Sequence, residues 1–495
     1  MKYLLGFDVG SSSVKASLLA VESGKCVASA FSPSSEMPML SLQPGLAEQD
    51  PEMWWQELQH AMNKLYQQIA FSADEVAAIG IAYQMHGLVC VDKNLQPLRP
   101  SIIWCDSRAV KTGDKAFRDL GEKYCLKNFL NSPGNFTASK LRWVKKNEPE
   151  LYSKIYKVML PGDYIAMKLT GEAATTVSGL SEGIMWNFKK EKIADDLLEY
   201  YGIDKELLSP SVPTFGEQGK LSASAAGELK LKAGIPVCYR AGDQPNNAFS
   251  LNVLQPGEIA ATAGTSGVVY GIIDKPDYDT QSRVNTFVHV NHTAKKPRYG
   301  VLLCINGTGI LNSWLRKNFF GDASYAQMNS EASQVAAGSD GLFFYPFGNG
   351  AERVLQNKDI GALLKGLQFN RHHRGHIARA AQEGIVFALH YGVEVMKSMG
   401  MEIKTVRAGH ANMFLSDVFS HAFVNTTGCR LELYNTDGAT GAARGAGIGA
   451  GIYKNFSEAC SSMERIRSFE PAKKEQEIYQ ATYGSWKKFL NEYAL

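Results

Sequence analysis

Two short turns made of glycine, serine and threonine are the first places where this chain could do chemistry. Gly10-Ser11-Ser12-Ser13 lies between two β-prone runs, and Gly264-Thr265-Ser266-Gly267 lies between two more, about half a chain later. Turns of this kind present several backbone N–H groups and short hydroxyls with little bulk around them, which suits the oxygens of a phosphate. Two such turns facing each other would hold a polyphosphate from both sides. Asp8, just ahead of Gly10, can organise a hydrated Mg²⁺, an ion that takes few protein ligands and keeps its waters. Lys15 follows the first turn and reads either as a phosphate contact or as a solvated strand residue.

A different chemistry is suggested at Asp243. The β-prone run 235–239 leads into Arg240-Ala241-Gly242-Asp243-Gln244, with a helix expected after Pro245. Ligands of open α/β sheets lie beyond the carboxyl ends of the strands. Asp243 is therefore placed for a general base, which would take a proton from an attacking hydroxyl at a gain of about 10²–10⁴ in rate. The competing reading is an N-cap for the helix that follows. Gln84-Met85-His86-Gly87 joins two expected strands, and Trp104-Cys105-Asp106-Ser107-Arg108 follows another. Polar groups beside aromatic and sulfur surfaces suit a sugar, which shows both hydroxyls and apolar C–H faces. His372, His373 and His376, with Arg371 and Arg374, match no strong metal spacing and read as a solvated loop ahead of a helix.

Competing phosphate motifs are missing. There is no Gly-Lys-Ser/Thr loop of the P-loop type and neither His-Arg-Asp nor Asp-Phe-Gly of the protein kinases. Gly445-Ala446-Gly447-Ile448-Gly449 imitates a dinucleotide fingerprint, but it lies in the small-residue run 440–451, which reads as a tightly packed helix.

These candidates need a scaffold. The N-terminus predicts a hairpin of strands 4–9 and 14–19, a third strand over 26–31, and further strands over 76–83 and 88–91. Asp50 and Pro51 carry the N-cap and first-turn signals of a helix. In the second half, 259–263 and 268–273 flank the second turn, and helices are expected over 376–399 and 412–426. Strands alternating with helices give an α/β protein. The return of strand, small-residue turn and strand at half length suggests an internal duplication, or the coincidence of turn residues that are common anyway.

The chain has 495 residues, more than one hydrophobic core supports, so two large lobes or three smaller domains are expected. Its 52 basic and 49 acidic residues leave a net charge of +3, which gives no argument for nucleic acid or membrane. The eight cysteines are scattered, with no Cys-x-x-Cys, as in a reduced cytosolic protein. The N-terminus lacks a leader pattern and no run approaches membrane-spanning length, so the expectation is a cytoplasmic protein.

Taken together in order, the motifs resemble the FGGY carbohydrate kinase family over essentially the whole chain. Residues 8–15 resemble its first phosphate motif and residues 264–268 its second. Residues 137–143 resemble its first signature, with Asn135 at the start of the pattern, and 366–383 its second, with Gln382 in place of an apolar residue. The glycine run of the adenosine site is matched by Arg407-Ala408-Gly409-His410-Ala411-Asn412, where His410 interrupts the glycines. Gln84-Met85-His86-Gly87, the segment 98–108 and Gly242-Asp243-Gln244 are similar to the xylulose kinase branch.

The resemblance implies two ribonuclease H-like, actin-like ATPase lobes around a central cleft. Residues 1–252 would carry the sugar and the base, and residues 253–495 the nucleotide. It implies ATP with Mg²⁺ as cofactors. ATP is held by Gly10, Ser11, Ser12, Ser13, Lys15, Gly264, Thr265, Gly409 and Asn412, and the metal by Asp8. Met85 and His86, with Trp104 and Asp106, would touch the sugar, and Asp243 would be the catalytic base. The reaction implied is phosphorylation of a ketopentose, D-xylulose in the first place, with ribulose, fuculose or glycerol as alternative acceptors. A non-catalytic actin-like nucleotide switch is the reading from another class. The expected partners are a small sugar and ATP, and at most a second copy of the chain in a homodimer, with neither nucleic acid nor membrane.

Overall fold

The structure, a computed structural model, describes residues 1–494. They form two compact units. The first comprises Met1–Asn252, Phe287–Arg298 and Thr436–Met463; the second comprises Val253–Thr286, Tyr299–Asn435 and Glu464 onward. Two segments from the second half of the chain thus belong to the first unit. Among the described residues no helix is long and apolar enough to cross a membrane.

The first unit is built on strands β1 (Tyr3–Val9), β2 (Val14–Ala20), β3 (Cys26–Ser32), β4 (Val76–Tyr83) and β5 (Val237–Gly242). The sheet order is β5-β4-β1-β2-β3. β1, β2 and β3 run as an antiparallel meander, and β4 and β5 lie parallel to β1 and to each other. A central strand is covered on both faces, which is why β1 reads as a nearly unbroken apolar run. Leu5, Phe7 and Val9 point into the core shared with helix Pro51–Gln68, whereas Leu4 packs on the opposite side against Ala443 and Ala446. Since strand residues alternate between faces, Asp8 shares the side of Leu4 and Gly6. Helix Gly438–Gly449 covers that side and lies nearly in contact with the strands: a Cβ at Gly6 would fall 1.9 Å from the Ala439 carbonyl, and one at Gly80 2.0 Å from that of Ala442. The small-residue run is indeed a packing device. Its helix begins at Gly438, two residues ahead of the expected start, because Asp437 caps it by accepting from the Thr440 N–H at 2.8 Å.

The second unit contains β6 (Ile259–Ala263), β7 (Gly267–Ile273), β8 (Asn285–Val288, of which Asn285 and Thr286 belong to this unit), β9 (Tyr299–Ile305), β10 (Thr405–Gly409), β11 (Arg430–Tyr434) and β12 (Arg465–Phe469), in the order β8-β9-β7-β6-β10-β11-β12. Without the edge strands β8 and β12, the row β9-β7-β6-β10-β11 repeats β3-β2-β1-β4-β5 strand for strand and direction for direction. The duplication is therefore real, and each copy has the ribonuclease H-like topology of the actin-like ATPases. Helix Arg374–Ser398 runs through the core with most of its length buried. His373 caps it, accepting from the Gly375 N–H, and His376 is buried inside it rather than solvated.

Two local expectations need correction. Residues 412–426 do not form one helix. A 3₁₀ turn over Asn412–Leu415 stops at Ser416, whose hydroxyl caps a separate helix, Asp417–Thr427. The helix expected after Pro245 spans Asp243–Ser250, with Gly242 at its cap position and Asp243 already in its first turn. The strand expected over 88–91 is present as Val89–Val91, outside the main sheet and paired with Lys157–Met159.

Candidate active site

In the first unit, the β1–β2 hairpin closes with the Gly10 N–H bonded to the Ser13 carbonyl at 3.1 Å. The turn is anchored from two other elements. The Gln49 side chain donates to the Ser11 carbonyl at 2.7 Å, and the Met37 N–H to that of Ser12 at 2.9 Å. Gln49 is itself held by the indole of Trp54, in the first turn of helix Pro51–Gln68. The Asp50 cap seen in the sequence thus fixes the helix that fixes the 10–13 turn. Asp8 and Lys15 are cross-strand partners at the mouth of the hairpin, but the ammonium of Lys15 bonds Asp437, at 3.0 Å.

Beyond β4 the chain enters the segment expected to meet sugar. The Gln84 N–H still bonds the Val9 carbonyl at 2.8 Å, so this loop begins beside the 10–13 turn. His86 takes the left-handed conformation at φ 61°, an arrangement that costs a non-glycine residue about 1–3 kcal/mol and persists only when its surroundings impose it. Those surroundings are specific. The buried ammonium of Lys140 donates to the carbonyls of both His86 and Ile103, at 2.8 and 2.9 Å. The His86 ring donates from Nδ1 to the Glu182 carbonyl at 3.0 Å and packs against both Phe136 and Phe287, which also touch each other. Lys140 therefore ties the Met85-His86 loop to the loop of Trp104, and burial pushes its own pKa down to about 8. Trp104 reaches the 10–13 turn, donating from its indole to the Ser11 hydroxyl at 3.3 Å. Asp106 is fully buried, and its carboxylate accepts from the Ala47 N–H at 2.7 Å and from the Arg108 guanidinium. It is occupied within the fold.

Asp243 opens helix Asp243–Ser250, directly beyond the carboxyl end of β5. Burial, followed by the charge of Asp8, pushes its pKa up to about 7. Burial, followed by Asp437, pushes Asp8 up to about 6, with Lys15 opposing. Gly242, just before Asp243, touches the Met85-His86 loop: a Cβ there would lie 2.6 Å from Met85 Cγ and 2.7 Å from Glu182 Oε2. The structure thus brings Asp8, Lys15, the 10–13 turn, Met85, His86, Trp104 and Asp243 together in one unit.

In the second unit, the β6–β7 hairpin turns through Gly264 and Thr265, and helix Gly309–Phe319 starts against it. The Gly309 N–H bonds the Gly264 carbonyl at 2.8 Å, and a Cβ on Gly309 would lie 2.2 Å from that oxygen. Glu352, buried and pushed up to about 8 by that burial, supports the preceding loop by accepting from the Asn306 N–H at 2.9 Å. A Cβ on Gly264 would lie 3.5 Å from the Asn412 amide nitrogen, and Gly409 ends the neighbouring β10. Gly264, Thr265, Gly409 and Asn412 therefore gather at one end of this sheet. His410 continues from β10, its N–H bonded to the Tyr434 carbonyl.

Sequence reasoning missed Asp437, Lys140, Glu182 and Glu352. Signals existed for two of them: Lys140 lies within the 137–143 signature, and Asp437 is an N-cap type ahead of a small-residue helix, masked by the glycine that follows. Glu182 is fully buried, and its carboxyl is pushed well above the usual range by burial, with Asp243 and Asp163 adding to it.

Comparison with known proteins agrees with this geometry. The model for the N-terminal domain of the FGGY family of carbohydrate kinases matches residues 3–250, and that for its C-terminal domain matches residues 259–452. The xylulose kinase of Bacillus subtilis (strain 168) is 27% identical, with 98% of this chain and 96% of that protein aligned. The L-xylulose/3-keto-L-gulonate kinase of Escherichia coli (strain K12) is 30% identical over 97% of this chain and 95% of its own. The ligand-bound xylulose kinase structure from Lactobacillus acidophilus superposes with a TM-score of 0.89 at 24% identity, covering 99% of this chain and 98% of that one. A duplicated ribonuclease H-like fold, a matched pair of small-residue hairpin turns and family models spanning both halves make this chain a member of the FGGY family of carbohydrate kinases.

Proposed function

We propose that this sugar kinase phosphorylates the terminal hydroxyl of a ketopentose, D-xylulose in the first place, using ATP and Mg²⁺. Asp243 accepts the proton of that hydroxyl as its oxygen attacks the γ-phosphate. Met85 and His86 hold the sugar, and Trp104 lines its approach to the phosphate turn. Asp106 acts through Trp104, by holding the loop that carries it. His86 donates from Nδ1 to a carbonyl, so its Nε2 is the ring's acceptor, suited to a sugar hydroxyl. Gly10, Ser11, Ser12, Ser13, Lys15, Gly264, Thr265, Gly409 and Asn412 take the nucleotide. Asp8 is the residue to hold the metal: it and Asp243 are carboxylates whose mutual repulsion a divalent cation would relieve. When bound, such a cation neutralises charge on the transferring phosphate.

The observation that carries this reading is the position of Asp243. It is a carboxyl of raised basicity at the end of β5, and the glycine before it packs on Met85. The xylulose assignment draws on the relatives named xylulose kinase. The 30% identical relative, named for L-xylulose and 3-keto-L-gulonate, favours a second reading in which the acceptor is one of those ketoses.

The test is ADP formation with Mg-ATP against D-xylulose, L-xylulose, 3-keto-L-gulonate, D- and L-ribulose, L-fuculose, glycerol and gluconate. Asp243→Asn is assayed alongside. Turnover is expected on D-xylulose, reduced by about 10²–10⁴ in the variant with sugar binding retained. Turnover on another acceptor replaces the substrate and keeps the base; full activity of Asp243→Asn removes the base.

A further inference from the structure

Asp437 arrives from the far end of the sequence and meets Lys15 across a separation of 422 residues. Its two oxygens do different things. Oδ1 accepts from the Thr440 N–H at 2.8 Å and caps helix Gly438–Gly449; Oδ2 takes the Lys15 ammonium at 3.0 Å. Capping needs only one acceptor, and Ser or Asn would supply it as well. The second oxygen is therefore not explained by the helix.

Nor is it explained by stability. The two side chains are about a third exposed, 36% for Lys15 and 32% for Asp437, and pairs that open to water contribute little to folding. The register shows what the pair does. Asp8 and Lys15 are directly opposite on neighbouring strands, where opposite charges attract each other by default. Asp8 also has its place fixed on the other side, because Gly438 leaves it room: a Cβ there would lie 2.1 Å from Asp8 Oδ2. The residue after Asp437 thus accommodates the Asp8 carboxylate, while Asp437 itself draws the ammonium away.

We propose that Asp437 is a positioning residue of the phosphate turn. It keeps Lys15 from closing on Asp8, leaving Asp8 to a divalent cation and the ammonium of Lys15 to the nucleotide's phosphates. This inference rests on the reading above in which Lys15 and Asp8 serve Mg-ATP.

The experiment compares Asp437→Asn, Lys15→Met and the double variant in the full chain. It reads KM for ATP, the Mg²⁺ concentration giving half-maximal ADP formation at saturating sugar, and thermal stability. Asn keeps the cap and loses the charge, so the melting temperature of Asp437→Asn should stay at the wild-type value. Its Mg²⁺ requirement and its KM for ATP should rise by about threefold or more, the low end of coupling between contacting residues. Lys15→Met alone should raise KM for ATP, and adding Asp437→Asn to it should change neither quantity further. An unchanged Mg²⁺ requirement in Asp437→Asn overturns the proposal. So does a rise that persists in the double variant, since Asp437 would then act without Lys15. A Lys15→Met enzyme with wild-type KM for ATP is a different failure: it removes Lys15 from the nucleotide site and takes the proposal with it.

Discussion

The acid–base range of Asp243 is set by what surrounds it rather than by its residue type. Burial and the neighbouring Asp8 raise its pKa from 3.8 to about 7. A general base works in its ionised form, so kcat/KM for the sugar should fall about tenfold per pH unit below about 7 and level off above it. A cation bound nearby favours the carboxylate, so the same limb in kcat with Mg-ATP saturating should lie at lower pH. Asp8→Asn removes the like charge and should move the kcat/KM limb toward acid. For stability the sign is opposite. The folded state binds this proton more tightly than the unfolded chain, so the contribution is full below 3.8 and is lost as pH rises through about 7. Initial-rate measurements from pH 5 to 9 check the limb, and one lying near 4 would show Asp243 to be an ordinary carboxyl. The placement of Asp8 and Asp243 at strand ends, where α/β proteins place ligands, was legible. Glu182 was not, because only the packing of Gly242 against it joins the two segments.

At the scale of elements, helix Gly438–Gly449 is held by closeness rather than by bulk. Gly80→Ala would set a methyl 2.0 Å from the Ala442 carbonyl oxygen and 2.8 Å from its carbon, with backbone on both sides. Nothing there can rotate away, so the helix must lift from the sheet. The expected loss is about 1–3 kcal/mol, read as a lower urea midpoint with an unchanged slope. Gly227→Ala is the matched control. It lies in helix Ala223–Leu229 with nothing within 4 Å of its Cβ, and the change should be neutral or stabilise by up to about 1 kcal/mol. Equal effects at the two sites would mean that backbone freedom, not the helix–sheet approach, governs Gly80. The hairpins were legible because turn chemistry is local. Three helix boundaries were misread because each depends on a cap whose partner is decided by packing: Asp437 before a glycine, Ser416 inside an apolar run, and Gly242 ahead of Asp243.

At the scale of the molecule, the doubled strand order could be suspected from two turns half a chain apart, but the exchange of segments could not. Nothing in the composition of 287–298 or 436–463 says that these residues return to the first unit; that is decided by which faces remain uncovered. On the first sheet the uncovered face would be Leu4, Gly6, Ala78, Gly80 and Cys238, all closed over by residues of 439–459. A fragment ending at Asn252 should therefore keep its strands but lack half of their packing. It is expected to bind hydrophobic dye and melt without a sharp transition. Fusing residues 436–463 to that fragment through a flexible linker should restore the transition, because it restores the helix that Gly6 and Gly80 accommodate. The fused fragment would still lack Phe287, one of the two rings against which His86 packs. It should fold yet leave the His86 loop loosely held, with amide exchange there faster than in the full chain. A sharp transition in the 1–252 fragment alone would show that the sheet is stable with one face bare, and that helix Gly438–Gly449 serves the site through Asp437 without holding the fold.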